Sequence, residues 1–366
     1  MNIEYRKGIV KSINSFNGQV YILTLDIEHP IKRAIGYRML TGDIQKGDSV
    51  IANTTAGTLK LGTGGYHFII YNYSCYEQNI SNIGHGMKLK YTPLQFKCLL
   101  AEEHDSIYHN DFNLPIDFNH KMIYIGELHS MLAPLCAYLK LFSNNKVKIG
   151  YIMTDHGAMP LMFSKSVQEL KKKELLDVTI TCGNAFGGDY ECVNIYTALI
   201  AAANIEKCDI IIITMGPGIL GTDTKYGFSG LELGFYGNFI MSTGCKKFIY
   251  VPRISFADKR ARHMGISHHT ITILNDIIQS NAKIVLPLMK KSQLSYIYRQ
   301  LTINKLMEKH NFSIVDGNGI YRALANYEIC PTTMGRGIDA DPIFFKAVGA
   351  AGYYGLFRML GFKPTI

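Results

Sequence analysis

Apolar positions over residues 1–75 come in short β-branched or aromatic runs, GIVKSI, QVYILTLDI, DSVIANTT and YHFIIYNY. Turn signals separate them: Asn17-Gly18, Lys46-Gly47-Asp48 and Gly62-Thr63-Gly64-Gly65. This spacing predicts a small N-terminal β-barrel-like domain. Residues 76–120 read as a bridging segment of mixed polarity. Within it, Thr92-Pro93-Leu94-Gln95 has the form of a capped helix start, which predicts a short helix running to about Glu103.

From residue 121 to 366 the pattern changes to buried-type runs alternating with helical segments. MIYIG, VKIGYIM, DVTITC, DIIIIT, KFIYVP, KIVLP and FSIV are continuous apolar stretches of strand length. Helix starts between them are marked by Ser166 with Glu169, Ser229 with Glu232, Ser267, and Asp341-Pro342. Strands apolar on both faces, each followed by a helix, predict an α/β domain with a largely parallel, doubly wound sheet. Ligands of such sheets bind outside the carboxyl ends of the strands, in the loops leading to helices.

Composition supports a folded chain. The 366 residues are 47% hydrophobic and 18% charged, which excludes intrinsic disorder. No run reaches the ~18 consecutive apolar residues of a membrane helix, so no membrane partner is expected. The N-terminal MNIEYRKGIVKSINSF lacks the apolar core of a secretory signal, and eight scattered cysteines include no C-x-x-C pair. A cytoplasmic location with reduced thiols is the expectation. The net charge of +9 leaves nucleic acid as an open partner, although the basic residues are mostly dispersed.

Unusual residues concentrate after the predicted strands. In GPGILGTDT, Gly216, Gly218 and Gly221 could bring backbone N–H groups to an oxyanion, with Thr222 adding a hydroxyl. A glycine-rich turn packed against a helix explains the same residues. The loop is no Walker A sequence, and its G-x-G-x-x-G spacing lacks the helix that a dinucleotide fingerprint requires. Asp155 follows VKIGYIM-Thr154, and Asp189 in GNAFGGD stands where a helix cap is expected, with Glu191 after it. Arg253 and Arg260 could clamp an anion bidentately, and His263 could exchange protons near neutral pH. The histidines of H-x-x-x-x-H-H match no zinc signature, and His268 and His269 diverge on a helix. An oxygen-rich site for Mg or Mn, drawn from Asp155, Asp189 and Asp258, is the better metal expectation. Glu127 and His129 follow MIYIG and could reach the same edge, Asp341 reads as a helix cap, and His67 belongs to the barrel.

The motifs GTGGYHF, KLKYTPLQ, TDHGAMP, AFGGD, MGPGILGT and RHMGISHH, in this order, resemble a family of uncharacterised bacterial proteins known as a domain of unknown function. The resemblance covers nearly the whole chain. It implies a bacterial, cytoplasmic protein with a β portion joined to an α/β portion, and it brings no activity or catalytic residue. His156 departs from the small residues that the family pattern has after Thr154-Asp155.

The residues favour an enzyme acting on a phosphorylated or otherwise anionic small molecule by hydrolysis or group transfer. Asp155, Asp189 and His263 would be catalytic. Gly216, Gly218, Gly221, Thr222, Arg253 and Arg260 would bind substrate. The alternatives are a non-catalytic nucleotide or metabolite binder and a nucleic-acid-binding protein.

Overall fold

A computed structural model of the chain describes residues 2–62, 64–80, 82–245 and 248–361. The chain forms two compact units, Met1–Cys98 and Leu99–Ile366. In the first, strands β1 (Tyr5–Phe16), β2 (Val20–Ile27), β3 (Arg33–Tyr37), β4 (Ser49–Asn53) and β5 (His67–Asn72) close a barrel in the order β1-β2-β3-β5-β4. Alternation makes its interior: Tyr21, Leu23, Leu25 and Ile27 of β2 are buried with Val10, Ala34, Val50 and Ile69. His67 is sealed inside, its Nε2 3.0 Å from His29 Nδ1 and 3.1 Å from the Ile31 carbonyl. It is a packed barrel residue.

The short helix expected from Thr92 does not form. Gln95 Oε1 does accept from the Tyr91 N–H and Thr92 Oγ1 from the Leu94 N–H. The chain then turns into β7 (Phe96–Cys98), antiparallel to β6 (Gly86–Lys88). Capping-type side-chain bonds are thus satisfied by a turn. The short helix of the 76–120 segment is instead a 3₁₀ turn, His109–Asn113.

The second unit holds an eight-stranded sheet, every pairing of which is parallel. Its strands begin with β8 (Met122–Gly126), β9 (Ile149–Thr154), β10 (Val178–Cys182), β11 (Tyr190–Cys192) and β12 (Ile210–Met215). After β13 (Phe248–Val251) come a two-stranded pair, β14 (Ile254–Ser255) and β15 (Gly265–Ile266). The strands β16 (Lys283–Pro287) and β17 (Asn311–Val315) complete the set, and the spatial order is β11-β10-β9-β12-β8-β13-β16-β17.

Central strands are buried on both faces. Ile123, Ile125, Ile211 and Ile213 pack into one core, and Met122, Tyr124, Ile210 and Ile212 into the other. The first core takes the helices Ile195–Ile200, Glu232–Ser242, His268–Thr272 and Lys291–Ile303. The second takes Leu132–Phe142, Lys165–Lys172, Gly319–Asn326 and most of the long helix Pro342–Leu360. The chain leaves β8 toward the second face, but leaves its neighbours β12 and β13 toward the first. Connections on opposite faces open a crevice at the carboxyl ends of these strands, the usual ligand position in such folds. Among the described residues, no helix is long and apolar enough to cross a membrane.

Candidate functional site

Four groups of polar residues stand at this carboxyl edge. The first surrounds a pocket of about 360 Å³ between the loops after β8 and β12, the first turn of helix Lys165–Lys172 and residues 332–334. Its polar lining comprises His129, Ser130, Ser166, Thr332, Thr333 and the backbone of Gly216 to Gly218, with no carboxylate among the described residues. His129 Nδ1 lies 3.0 Å from Tyr151 Oη, which is 2.9 Å from Thr214 Oγ1, and His129 Nε2 lies 2.6 Å from Ser164 Oγ. Burial pulls the His129 imidazole down to about 4, so the ring is neutral at pH 7.

The second group centres on Glu127, which follows β8 directly and is fully buried. Thr270 Oγ1 donates to its Oε2, while its Oε1 has no hydrogen-bond partner among the described residues. Burial pushes this carboxyl up to about 7, against the opposing charge of Arg253. Arg253, itself 2% exposed, donates to Asp258 Oδ2 at 3.0 Å. Arg260 grips the same carboxylate bidentately, at 3.0 and 2.8 Å, and Arg336 approaches it at 3.7 Å. These bonds, the Arg260 pair above all, hold Asp258 well below the usual carboxylate range. Asp341 begins the helix Pro342–Leu360, but its side chain caps nothing. It accepts from Ser255 Oγ at 2.7 Å and from Arg336 Nε at 3.1 Å.

The third group is Asp155, His156 and Glu232, whose ligand-type atoms all lie within 4.8 Å of one another. Asp155 Oδ2 accepts from the Asn184 N–H at 2.8 Å. Glu232 was readable as the capping partner of Ser229. It instead accepts from Thr154 Oγ1 and, at 2.7 Å, from Tyr236 Oη, and its burial raises its affinity for a proton.

The fourth group is His263, His268 and His269. Helical geometry predicts that the last two diverge, yet their ring centroids are 4.2 Å apart, and 5.0 and 5.1 Å from that of His263. The antiparallel pair β14–β15 folds residues 256–264 back, so His263 comes to the start of the helix that Ser267 caps. Phe228 stacks flat on His269 at 3.9 Å. Burial, followed by the neighbouring charges of Arg253 and Arg260, lowers His263 to about 3, and burial and the adjacent imidazoles do the same for His269.

Several expected roles do not survive this geometry. Asp189 caps no helix; Asn194 does, by accepting from the Tyr196 and Thr197 N–H groups. Residues 190–192 form β11, and the register sets Asp189 beside Thr179, at the amino end of β10. There it accepts from Lys171 Nζ and the Thr179 N–H, both at 2.8 Å. Asp155, Asp189 and Asp258 therefore share no metal site: the second sits at the other edge and the third is taken up by guanidiniums. Arg253, which is buried, and Arg260, whose side chain is 41% exposed, are both bonded to Asp258.

The glycine loop is also partly committed to packing. A Cβ on Gly216 or Gly157 would collide with the backbone of the facing loop, where the Ala158 N–H donates to the Pro217 carbonyl at 2.8 Å. Thr222 Oγ1 donates to the Gly227 carbonyl at 2.9 Å, closing a hairpin-like turn from Gly221 to Phe228. Gly218, with φ +92°, lines the pocket, and Gly221 lies against His269.

Comparison with known proteins gives one result. No curated protein and no solved structure matches the chain. A family model matches residues 33–352, and the chain belongs to that family, DUF3866, described as a protein of unknown function.

Proposed function

We propose that the protein is an enzyme that hydrolyses, or transfers a group from, an anionic small molecule of the phosphorylated kind, bound at the carboxyl edge of the sheet. One observation carries this reading: beside its apolar wall, the polar lining of the pocket at the β8–β12 crevice is hydroxyls, glycine backbone and a neutral imidazole, with no carboxylate among the described residues to repel an anion. The helix Lys165–Lys172 starts at its wall, and a helix start favours negative charge. About 360 Å³ suits a small metabolite. His129 is the titratable side chain in the wall. Glu127, two residues earlier, is an acid whose burial brings its titration near neutrality, as proton-transfer groups require.

A second reading, a non-catalytic metabolite binder, is favoured by the engagement of both His129 nitrogens with Tyr151 and Ser164. A thermal-shift panel of nucleotides, sugar phosphates, inorganic phosphate and carboxylates tests the shared element of both. An anion should raise the melting temperature of the wild type. It should do so much less for Ser166→Trp, whose indole fills the pocket. No stabilisation by any anion, or equal stabilisation of Ser166→Trp, would remove the pocket from the account.

A further inference from the structure

We infer that His263, His268 and His269 form a binding site for a single zinc-type transition-metal ion. Their ligand nitrogens lie within 4.8 Å of one another, a separation that small ring rotations close around an ion. Two of these rings present a buried nitrogen, His268 Nε2 and His269 Nδ1, with no hydrogen-bond partner among the described residues. His269 is 6% exposed, so water does not serve it freely. Folded proteins seldom leave two such atoms without something to satisfy them. Ser267 Oγ sits 2.9 Å from His263 Nδ1 and so orients that ring with Nε2 as its remaining nitrogen, as supporting hydrogen bonds do for metal-ligating histidines.

Donor type selects the class of metal. Imidazole nitrogens suit zinc, cobalt, nickel or copper, whereas magnesium, calcium and manganese prefer oxygen. Three protein ligands leave a fourth position for water or substrate, as in catalytic zinc sites. Nearby arginines do not forbid a dication, because three carboxylates offset most of the charge of the four guanidiniums. Arg253 and Arg260 share Asp258, Arg262 pairs with Asp223, and Arg336 pairs with Asp341.

The site stands independently of turnover at the pocket, and its test reads metal alone. Full-length protein purified without a histidine tag, and stripped by a chelator, is titrated with Co²⁺. One equivalent should saturate it and produce the intense visible absorption of four-coordinate cobalt, displaced by Zn²⁺. His268→Gln, at a half-exposed ring, and His263→Ala should weaken binding by at least about 100-fold. Ser267→Ala should weaken it by about tenfold. Asp155→Asn should leave the spectrum unchanged. Circular dichroism checks that each variant is folded. The inference is overturned by absence of saturable Co²⁺ binding. It is equally overturned by an unchanged spectrum in folded His268→Gln, or by loss in Asp155→Asn, which would put the ion among Asp155, His156 and Glu232.

Discussion

Glu127 shows how a single residue ties the fold to its chemistry. Placed one step beyond the last residue of β8, it is carried under the loop edge with one oxygen bonded to Thr270 and the other without a partner among the described residues. The folded state holds its proton up to about pH 7, whereas an unfolded chain releases it near 4.5. Between these values the folded state binds the extra proton, so stability is present below pH 4.5 and lost as the pH rises to about 7. The loss is on the order of 3 kcal/mol. Urea unfolding of wild type and Glu127→Gln across that window should therefore diverge, with the wild type falling relative to the variant. Parallel curves would mean that Glu127 is already ionised in the folded protein. The sequence places Glu127 at the edge but carries no sign of its burial, which is created by Thr270 and Arg253 from distant parts of the chain. His263, His268 and His269 hide their convergence for a related reason. Helical spacing separates the last two, and only the β14–β15 turn brings the first alongside.

Elements were legible wherever one local pattern decided them. The seven apolar runs from MIYIG to FSIV match seven strands of the sheet; burial on both faces demands continuous apolar residues in all of them but the part-exposed edge strand β17. Ser267 caps its helix as its sequence position suggests. Where one motif serves two structures, reading it locally fails: YTPLQ makes its side-chain bonds in a turn, and Gly188-Asp189 leads into the edge strand β11 rather than a helix. The Ser166–Glu169 pair marks the right helix, but Ser164 is its cap, two residues earlier. The pressed contact between the loops after β9 and β12 was not readable at all. It gives the glycines there a packing role: a Cβ on Gly157 would meet the Gly216 carbonyl, which is backbone and cannot swing aside. Gly157→Ala should destabilise the protein by about 1–3 kcal/mol, measured by urea unfolding, and weaken anion binding at the pocket wall. A variant as stable as wild type would show that the two loops separate readily.

At the scale of the whole molecule, chain order explains why polar residues collect where they do. The first strand, β8, is flanked by β12 and β13, whose connections cross to the other face. Residues far apart in sequence, from Glu127 to Thr333, are thereby gathered at one edge, and the doubly wound pattern made that edge foreseeable. Partners within the edge were not foreseeable, so the arginines expected to clamp an anion turn out to be held by Asp258. We propose that this edge performs chemistry on an anionic small molecule. This is tested most directly by measuring turnover of a panel of phosphate esters, nucleotides and sugar phosphates, with and without added Zn²⁺, for wild type and His129→Gln. We predict that the wild type turns over at least one class and that the folded variant is slower by about 10²–10⁴-fold. Absence of turnover across the panel, or an undiminished rate in His129→Gln, would contradict the account.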